Sequence, residues 1–272
     1  MYKLLIFIAF IIQSHSTYCQ DIVEFGNNKS LGKYYNVRGV NFYTEQYGSG
    51  KPLLLIHGNG GSINSMAGII PYFSQLYKVI AVDSRAQGKT TDISDSLSFE
   101  MMADDEAALL DQMHIDSAYV IGWSDGGIIA LLLAMRHPSK VIKFASTGAN
   151  IWPDSTAILP SLWKEEKKYY DDNQSKIWTT AKEKNDWKLF MLDWDQPNVL
   201  LSALHNIYCP SLIISGDHDL INLEHTIKIY QNIINAYLWI LPNSGHGTLI
   251  EHRDEFCRKV NEFFLKPFNR YK

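Results

Sequence analysis

The sequence predicts an α/β fold: a mostly parallel central sheet with helices on both faces and a helical cap insertion. Three observations carry this prediction. Short apolar runs alternate with stretches of helical spacing along most of the chain. The apolar runs are unbroken, which is typical of parallel strands buried on both sides. Residues 151–205 interrupt the alternation with five of the seven tryptophans and many charged side chains. We therefore expect a core formed by 20–150 and 206–272, and a cap insertion at 151–205.

The elements of the predicted core follow one another in a regular order. The first strand carries a turn or bulge at Gly39, and Ser98 is placed to cap the N-terminus of a long helix. We predict strands at 37–47, 52–56, 78–82, 118–122, 141–146, 211–215 and 237–241, and helices at 62–77, 98–114, 125–136, 223–234 and 253–265.

The N-terminal residues predict a secretory leader rather than part of the fold. Lys3 precedes an apolar run at 4–12, which is shorter than the ~20 residues that span a bilayer. Cleavage after Cys19 would leave Thr17 and Cys19 at the two small-residue positions. We expect a secreted or periplasmic protein without stable membrane insertion. An uncleaved anchor and lipid attachment at Cys19 remain alternatives, although Tyr18 is bulky for a lipoprotein signal.

Composition narrows the classes of partner. The formal net charge is -4, and removing residues 1–19 takes away one base and no acid, so 24 bases against 29 acids give -5. Because no dense Lys/Arg cluster is present, nucleic-acid binding is not indicated. No ligand spacing predicts a metal site. Cys209 and Cys257 are expected to be unpaired thiols, with a disulfide as the alternative. We expect a monomer or small homo-oligomer that needs no cofactor.

The segment from Gly122 to Gly127 carries the main chemical signal. A β-rich apolar run meets a Gly-x-Ser-x-Gly pentapeptide centred on Ser124, and a helix-forming run follows at once. This order places a serine hydroxyl in a strained turn at the top of a sheet. A Cβ at Gly122 or Gly126 would clash where helix and strand pack around the turn. We predict that Ser124 is a catalytic nucleophile.

A serine nucleophile needs a base and an acid that orients the base. Asp219 follows the strand at 211–215, and His246 follows the strand at 237–241. Both follow the carboxyl ends of parallel strands, where sites form in open α/β sheets. We predict that Asp219, rather than Asp217, orients His246. The alternative bases are His218 and His252.

The glycine-rich loop after the strand at 52–56 predicts half of an oxyanion hole, a pair of backbone N–H groups that bind a developing oxyanion. Asn59 is expected to supply one N–H, and Asp125, at the start of a helix, the other. His57 is expected to support this loop by hydrogen bonds. We also expect the substrate to contact Asp125, Trp123 and Trp152. The alternative for the cap tryptophans is that they form only the core of the insertion.

The chain resembles the α/β-hydrolase fold family of serine hydrolases over residues 34–270. Ala86 and Thr90 depart from the Gly and Ser usual in the family at these positions, and neither replaces a catalytic group. The motifs that carry the resemblance are His57-Gly58, Asp83 to Thr90, Gly122 to Gly127, Gly216-x-x-Asp219 and Gly245-His246. The resemblance implies an acyl-enzyme reaction through Ser124, His246 and Asp219.

A narrower resemblance is to the valacyclovir hydrolase (biphenyl hydrolase-like) group. It is carried by residues 122–128, by Gly148-Ala149-Asn150 and by residues 209–213. In that group the acid after the nucleophile is linked to the ammonium of amino-acid ester substrates, which implies this role for Asp125. The alternative is that Asp125 only favours a helix N-terminus.

The sequence thus predicts a serine hydrolase that cleaves a small-molecule carboxylic ester or a related acyl compound. An amidase or aminopeptidase would use the same three side chains, although the loop after His57 lacks the proline of the family's proline-peptidase branch. A ligand-binding protein on the same fold is the remaining alternative, and it does not require all three side chains.

Overall fold

A computed structural model describes residues 24–269 and contains one eight-stranded sheet in the order β1-β2-β4-β3-β5-β6-β7-β8. The strands are β1 (Gly32–Val37), β2 (Val40–Tyr47), β3 (Pro52–Ile56), β4 (Lys78–Val82), β5 (Ala118–Trp123), β6 (Val141–Thr147), β7 (Ser211–Gly216) and β8 (Ala236–Leu241). The helices are α1 (Ile70–Phe73), α2 (Phe99–Gln112), α3 (Asp125–Arg136), α4 (Pro160–Asn173), α5 (Ala181–Asp195), α6 (Leu223–Gln231), α7 (Thr248–Glu251) and α8 (Arg253–Leu265).

The sheet is mostly parallel and carries a core on each face. β2 pairs antiparallel with β1 and β4, and every other strand pairing is parallel among the described residues. Successive strand residues point to opposite faces, so Leu54 packs with α2 and α3 while Leu55 packs with α8. The mostly parallel sheet with helices on both faces that the sequence predicts is confirmed.

Two predicted elements are wrong in their extent. The helix expected at 62–77 is a 3-10 helix (Ile63–Met66) followed by the short α1. Gly68 and Pro71 account for the break, because glycine weakens a helix and proline lacks an N–H donor. The strand expected at 37–47 starts later, at Val40. The turn expected at Gly39 is present and joins this strand to β1, which was not predicted.

The insertion between β6 and β7 contains α4, α5 and a 3-10 helix (Leu201–Asn206). We call residues 151–205 the cap. Its α5 contacts loops at the carboxyl edge of the sheet: Asn185 Nδ2 donates to the Ala86 carbonyl at 2.8 Å, and Lys188 Nζ donates to the Ser94 carbonyl at 2.8 Å. The cap therefore covers the edge where the predicted site residues lie.

Three sequence expectations concern features outside the sheet and the cap. The leader predicted at residues 1–19 lies outside the described residues. Cys209 and Cys257 are both free thiols, and burial raises the pKa of each to about 12. Within residues 24–269, the helices are all too short or too polar to cross a bilayer.

Candidate active site

Ser124 occupies a strained turn between β5 and α3. Its backbone angles are φ 58° and ψ -120°, a left-handed conformation that is uncommon for a residue with a side chain. The Ser124 N–H donates to the Thr147 carbonyl of β6 at 2.8 Å, and the Ser124 carbonyl accepts from the Gly127 N–H at 2.7 Å. Strain of this kind persists where surrounding contacts over-determine the backbone, as happens at functional sites.

The two glycines that flank the turn are required by close backbone approach. A Cβ at Gly122 would lie 2.0 Å from the carbonyl oxygen of Gly126, and a Cβ at Gly126 would lie 2.1 Å from the carbonyl oxygen of Ile56. Both contacts are with backbone, which cannot rotate away as a side chain can. The steric role inferred from the pentapeptide therefore corresponds to specific contacts between α3, β5 and β3.

The Ser124, His246 and Asp219 side chains form one hydrogen-bonded chain. Ser124 Oγ lies 2.9 Å from His246 Nε2, and His246 Nδ1 lies 2.6 Å from Asp219 Oδ1. Because a carboxylate only accepts hydrogen bonds, the His246 proton is on Nδ1. Nε2 is then left to accept the serine proton, which is the arrangement that general-base activation of a hydroxyl requires.

Asp219 is held in place by the loop that follows β7. Its side chain is fully buried, Oδ1 also accepts from the Ile221 N–H at 3.1 Å, and Oδ2 accepts from Ser215 Oγ at 3.2 Å. Asp217, two residues earlier, instead accepts from the Ser244 N–H at 3.1 Å. Asp217 therefore braces the histidine loop from outside, while Asp219 faces His246.

The two alternative bases lie away from the serine. The His218 side chain is largely exposed and its nearest carboxylate is that of Asp217, at 3.9 Å. His252 Nε2 contacts the Asn243 carbonyl at 3.2 Å. Of the three histidines considered, only His246 contacts Ser124.

The loop after β3 approaches the serine closely. A Cβ at Gly58 would lie 2.9 Å from the Cβ of Ser124, so this loop packs against the nucleophile turn, and the oxyanion role of the Asn59 N–H stays a prediction. Buried His57 accepts from the Ser84 N–H through Nε2, at 3.1 Å, and donates from Nδ1 to the Gly58 carbonyl, at 2.7 Å. Burial lowers the pKa of His57 to about 4, so the ring is neutral and supports the loop.

The sequence analysis missed Asp193 of α5, which meets Asp125 over the site. The two carboxyl groups are close enough to interact electrostatically, and the Asn59 side chain lies beside both. Asp125 is 3% exposed, and its Oδ2 has no hydrogen-bond partner within residues 24–269. Burial, together with Asp193, raises the pKa of Asp125 well above its usual range, and burial raises the pKa of Asp193 to about 6.

The two tryptophans expected at the substrate have structural contacts of their own. Trp123 Nε1 donates to the His246 carbonyl at 2.9 Å, and its ring lies against the His246 ring with 6.2 Å between centroids. Trp152 packs edge-on against His225, with 4.4 Å between centroids, and Trp152 Nε1 donates to Thr156 Oγ1 at 2.8 Å. Trp123 thus borders the histidine loop, whereas Trp152 contacts α6, and substrate contact by either stays a prediction.

The remaining cap tryptophans stack with one another. Trp194 stacks on Tyr170 and on Trp163, and Trp187 stacks on Phe190. These rings fill the space between α4 and α5.

Across residues 24–269, no three His, Cys, Asp or Glu side chains group as metal ligands.

Comparison with known proteins shows the family of the chain. A family model described as alpha/beta hydrolase fold matches residues 51–186. The serine hydrolase BPHL of Mus musculus is 27% identical over 263 residues, which cover 90% of this chain and 89% of that protein. The pimeloyl-(acyl-carrier protein) methyl ester esterase of Legionella pneumophila is 28% identical over 249 residues, which cover 82% and 99%.

A solved structure gives the same result. The meta-cleavage product hydrolase CumD of Pseudomonas fluorescens superimposes with a TM-score of 0.70 at 25% identity, covering 86% of this chain and 98% of the other. The similarity to hydrolases therefore extends over most of the chain.

Proposed function

The chain belongs to the alpha/beta hydrolase fold family, and from this premise we propose that it is a serine hydrolase of small-molecule carboxylic esters, acting through Ser124, His246 and Asp219. Its relatives include hydrolases of methyl esters and of meta-cleavage products. The observation that carries the proposal is the unbroken hydrogen-bonded chain from Ser124 Oγ through both nitrogens of His246 to Asp219.

The acylation step follows from this chain. Ser124 Oγ attacks the ester carbonyl carbon while His246 Nε2 takes the hydroxyl proton, and the Asp219 carboxylate stabilises the imidazolium. The tetrahedral oxyanion accepts from the Asn59 and Asp125 N–H groups, each worth about 10²–10³-fold in kcat by analogy with other oxyanion donors. The C–O bond then breaks, and His246 returns its proton to the leaving alcohol.

Deacylation reverses the roles. Water takes the place of the alcohol, gives its proton to His246 Nε2 and attacks the acyl carbon attached to Ser124. Collapse of this second tetrahedral intermediate releases the carboxylic acid, and the proton on His246 returns to Ser124 Oγ. No cofactor or metal enters this sequence of steps.

Hydrolysis of p-nitrophenyl esters of increasing acyl length tests the proposal, with Ser124→Ala as the matched control. We expect turnover by the wild type and a loss of at least about 10⁴-fold in Ser124→Ala. A fluorophosphonate probe should label the wild type once, at Ser124. Labelling that persists in Ser124→Ala would place the nucleophile elsewhere.

The same experiment separates the two alternatives. A ligand-binding protein on this fold would bind an ester without turnover and without labelling. An amidase or aminopeptidase would also be labelled, so an alanyl p-nitroanilide is compared with the alanyl ester. We expect the ester to react faster, because an amide leaving group needs more complete protonation by His246.

The acyl specificity that we propose is a free α-amine. Asp125 is buried beside the nucleophile with an unpartnered carboxylate oxygen, and the resemblance to the valacyclovir hydrolase group implies an ammonium ligand. A charge-assisted contact is worth roughly 10- to 150-fold in kcat/KM. An alanyl ester should therefore react faster than the propionyl ester of the same alcohol, and Asp125→Asn should remove the difference.

We further propose that the protein is exported and loses residues 1–19. The support is Lys3, the short apolar run at 4–12 and the small residue Cys19 at its exit. N-terminal sequencing of the mature protein should begin at Gln20. A chain in the soluble fraction that still starts at Met1 would contradict export by cleavage.

A further inference from the structure

We propose that Asp193, on the cap, is the second half of the substrate site, and that Asp125 and Asp193 together bind a primary ammonium by donation of its N–H groups to both carboxylates. This inference rests on the proposed ester hydrolysis and adds to it a specificity-determining residue that belongs to the cap rather than the core.

The position of Asp193 follows from the helix that carries it. Asn59 Nδ2 donates to the Leu189 carbonyl at 3.1 Å, which fixes this turn of α5 above the loop after β3. Residues four apart lie on the same face of a helix, so Asp193 faces the same way as Leu189. The carboxyl group of Asp193 is therefore brought to Asp125 and within electrostatic reach of His246.

The pair has acidic groups and no cation. None of the ion pairs formed within residues 24–269 includes Asp125, Asp193 or Glu166. Glu166, on α4, is partly buried and lies near Asp193. Burial, together with the charge of Asp193, raises the pKa of Glu166 to about 7. Because the pKa of Asp125 is raised well above its usual range by burial and by Asp193, the pair holds a proton in the free protein. An ammonium that takes the place of this proton brings the positive charge that the pair lacks.

The geometry selects among cations. Asp125 Oδ2 is buried and has no partner among the described residues, so a donor arriving there gains a hydrogen bond that the protein does not provide. A primary ammonium has three N–H donors and can reach both carboxylates at once. A protonated dimethylamine has a single N–H and can satisfy one carboxylate only. The site should therefore discriminate by the number of donors as well as by charge.

The test uses benzyl esters of alanine, N,N-dimethylalanine and propionic acid, with benzyl alcohol release measured for the wild type and variants. In the wild type we expect the alanyl ester to exceed both others by at least about tenfold in kcat/KM. In Asp193→Asn the alanyl advantage over the dimethylalanyl ester should fall by about tenfold. The loss should appear mainly as a higher KM, as expected for a contact made equally in the bound ester and the transition state.

The control variant is Asp195→Asn, an exposed aspartate two residues along α5, which should leave all three rates within about twofold. Because the two amine esters differ in bulk, the decisive quantity is the change in their ratio between wild type and Asp193→Asn, which cancels steric effects common to both enzymes. The melting temperature of each variant checks that the fold is retained.

The outcomes separate this inference from the proposed function. If no ester is hydrolysed by the wild type, the proposed function is wrong. If the propionyl ester is hydrolysed and Asp125→Asn removes the alanyl preference while Asp193→Asn keeps it, only the role of Asp193 is wrong. A uniform loss on all three esters in Asp193→Asn would show a structural role and would also overturn the inference.

Discussion

The nucleophile turn and the cap differ in how their side chains are fixed. In α3 every residue from Asp125 to Ala134 is buried. The turn before it is held by close backbone packing, because a Cβ at Gly122 would lie 2.0 Å from the Gly126 carbonyl oxygen. Within Pro160–Asn173 of α4, in contrast, no residue is fully buried, and α5 fully buries only Leu189 and Leu192, with Asp193 half-buried.

From this difference we assign the chemical step to the core and the preference among esters to the cap. The reacting groups stand on rigid elements whose geometry is set within a few residues of each group. The groups that cover the site stand on two helices held by stacked aromatic rings and by a few hydrogen bonds to sheet-edge loops. We infer that substitutions in the core change the rate on every ester, whereas substitutions in the cap change which ester is preferred.

The largest expected effect distinguishes two aspartates of one loop in the core. Asp219→Asn should lower kcat by about 10⁴-fold on all esters, because the amide would favour the wrong tautomer of His246. Asp217→Asn should lower kcat by less than about threefold, since Asp217 accepts from the backbone of the histidine loop and does not contact His246. Steady-state kinetics of both variants on one p-nitrophenyl ester measure the contrast.

The two aspartates serve as controls for each other because they share one turn. A loss of similar size in Asp217→Asn would mean that the position of the histidine loop, rather than the orientation of the ring, limits the rate. A high residual rate in Asp219→Asn would contradict the role assigned to Asp219.

The features of the core could be predicted from the sequence more readily than those of the cap. Ser124, its flanking glycines and the strand ends that carry Asp219 and His246 could be located because each depends on a local pattern and on the edge where parallel strands end. The helix expected at 62–77 failed at a local conflict, since apolar spacing favoured a helix that Pro71 interrupts.

Asp193 could not be predicted for a different reason. Its meeting with Asp125 depends on which face of α5 turns toward the sheet, and that helix has too few buried positions to define a face by its sequence alone. The contact that fixes the face, between Asn59 and the Leu189 carbonyl, joins residues 130 apart in the chain. The signal in the sequence was that Asp193 has no lysine four residues away on its helix, unlike Asp186, which pairs with Lys182.

A smaller effect is expected in the pH dependence of ester preference. Burial raises the pKa of Asp193 to about 6, so lowering the pH from about 7 to about 5 neutralises it and removes one anion from the ammonium site. The ratio of kcat/KM for alanyl and propionyl esters should fall by up to about tenfold over this range. The inflection should be absent in Asp193→Asn.

The ratio is needed because other groups near Asp193 also titrate. Asp125 from α3, Glu166 from α4 and His246 from the loop after β8 face it, together with the neutral side chain of Asn59. Protonation of His246 slows both esters alike and cancels in the ratio. A ratio that stays constant between these pH values would mean that Asp193 does not contact the ammonium.

Loosening the cap should have a modest effect on rate. Trp194→Ala removes stacking on Tyr170, with 4.9 Å between centroids, and on Trp163, with 6.0 Å. Each aromatic pair contributes about 0.5–1.5 kcal/mol beyond its buried area. We expect KM for long-chain esters to rise by about three- to tenfold while kcat for p-nitrophenyl acetate changes by less than threefold. Ile177→Ala, at an exposed cap position, is the control.

Limited proteolysis reports on the same variant without reference to activity. Cleavage within 151–205 should become faster in Trp194→Ala than in Ile177→Ala, because local opening of α4 and α5 precedes cleavage. If the acetate rate falls as far as the long-chain rate, the cap supports the catalytic groups directly, and the division between core and cap is less sharp than we infer.

The smallest expected effect concerns a buried carboxyl group of the core that lies outside the active site. Glu106, on α2, is 1% exposed, its Oε2 has no partner among the described residues, and burial raises its pKa to about 8. Between its unfolded pKa and pH 8 the folded chain keeps a proton that the unfolded chain releases, so this contribution to stability is present at low pH and is lost as pH rises. Glu106→Gln should therefore raise the free energy of unfolding more at pH 8 than at pH 5, by roughly 3 kcal/mol, which is measured as a larger gain in melting temperature at the higher pH. The kcat/KM of Glu106→Gln for esters should stay within twofold of the wild-type value. This contrasts with Asp125→Asn, which changes a buried carboxyl group beside the nucleophile. A stability difference that does not grow with pH would mean that Glu106 is ionised in the fold.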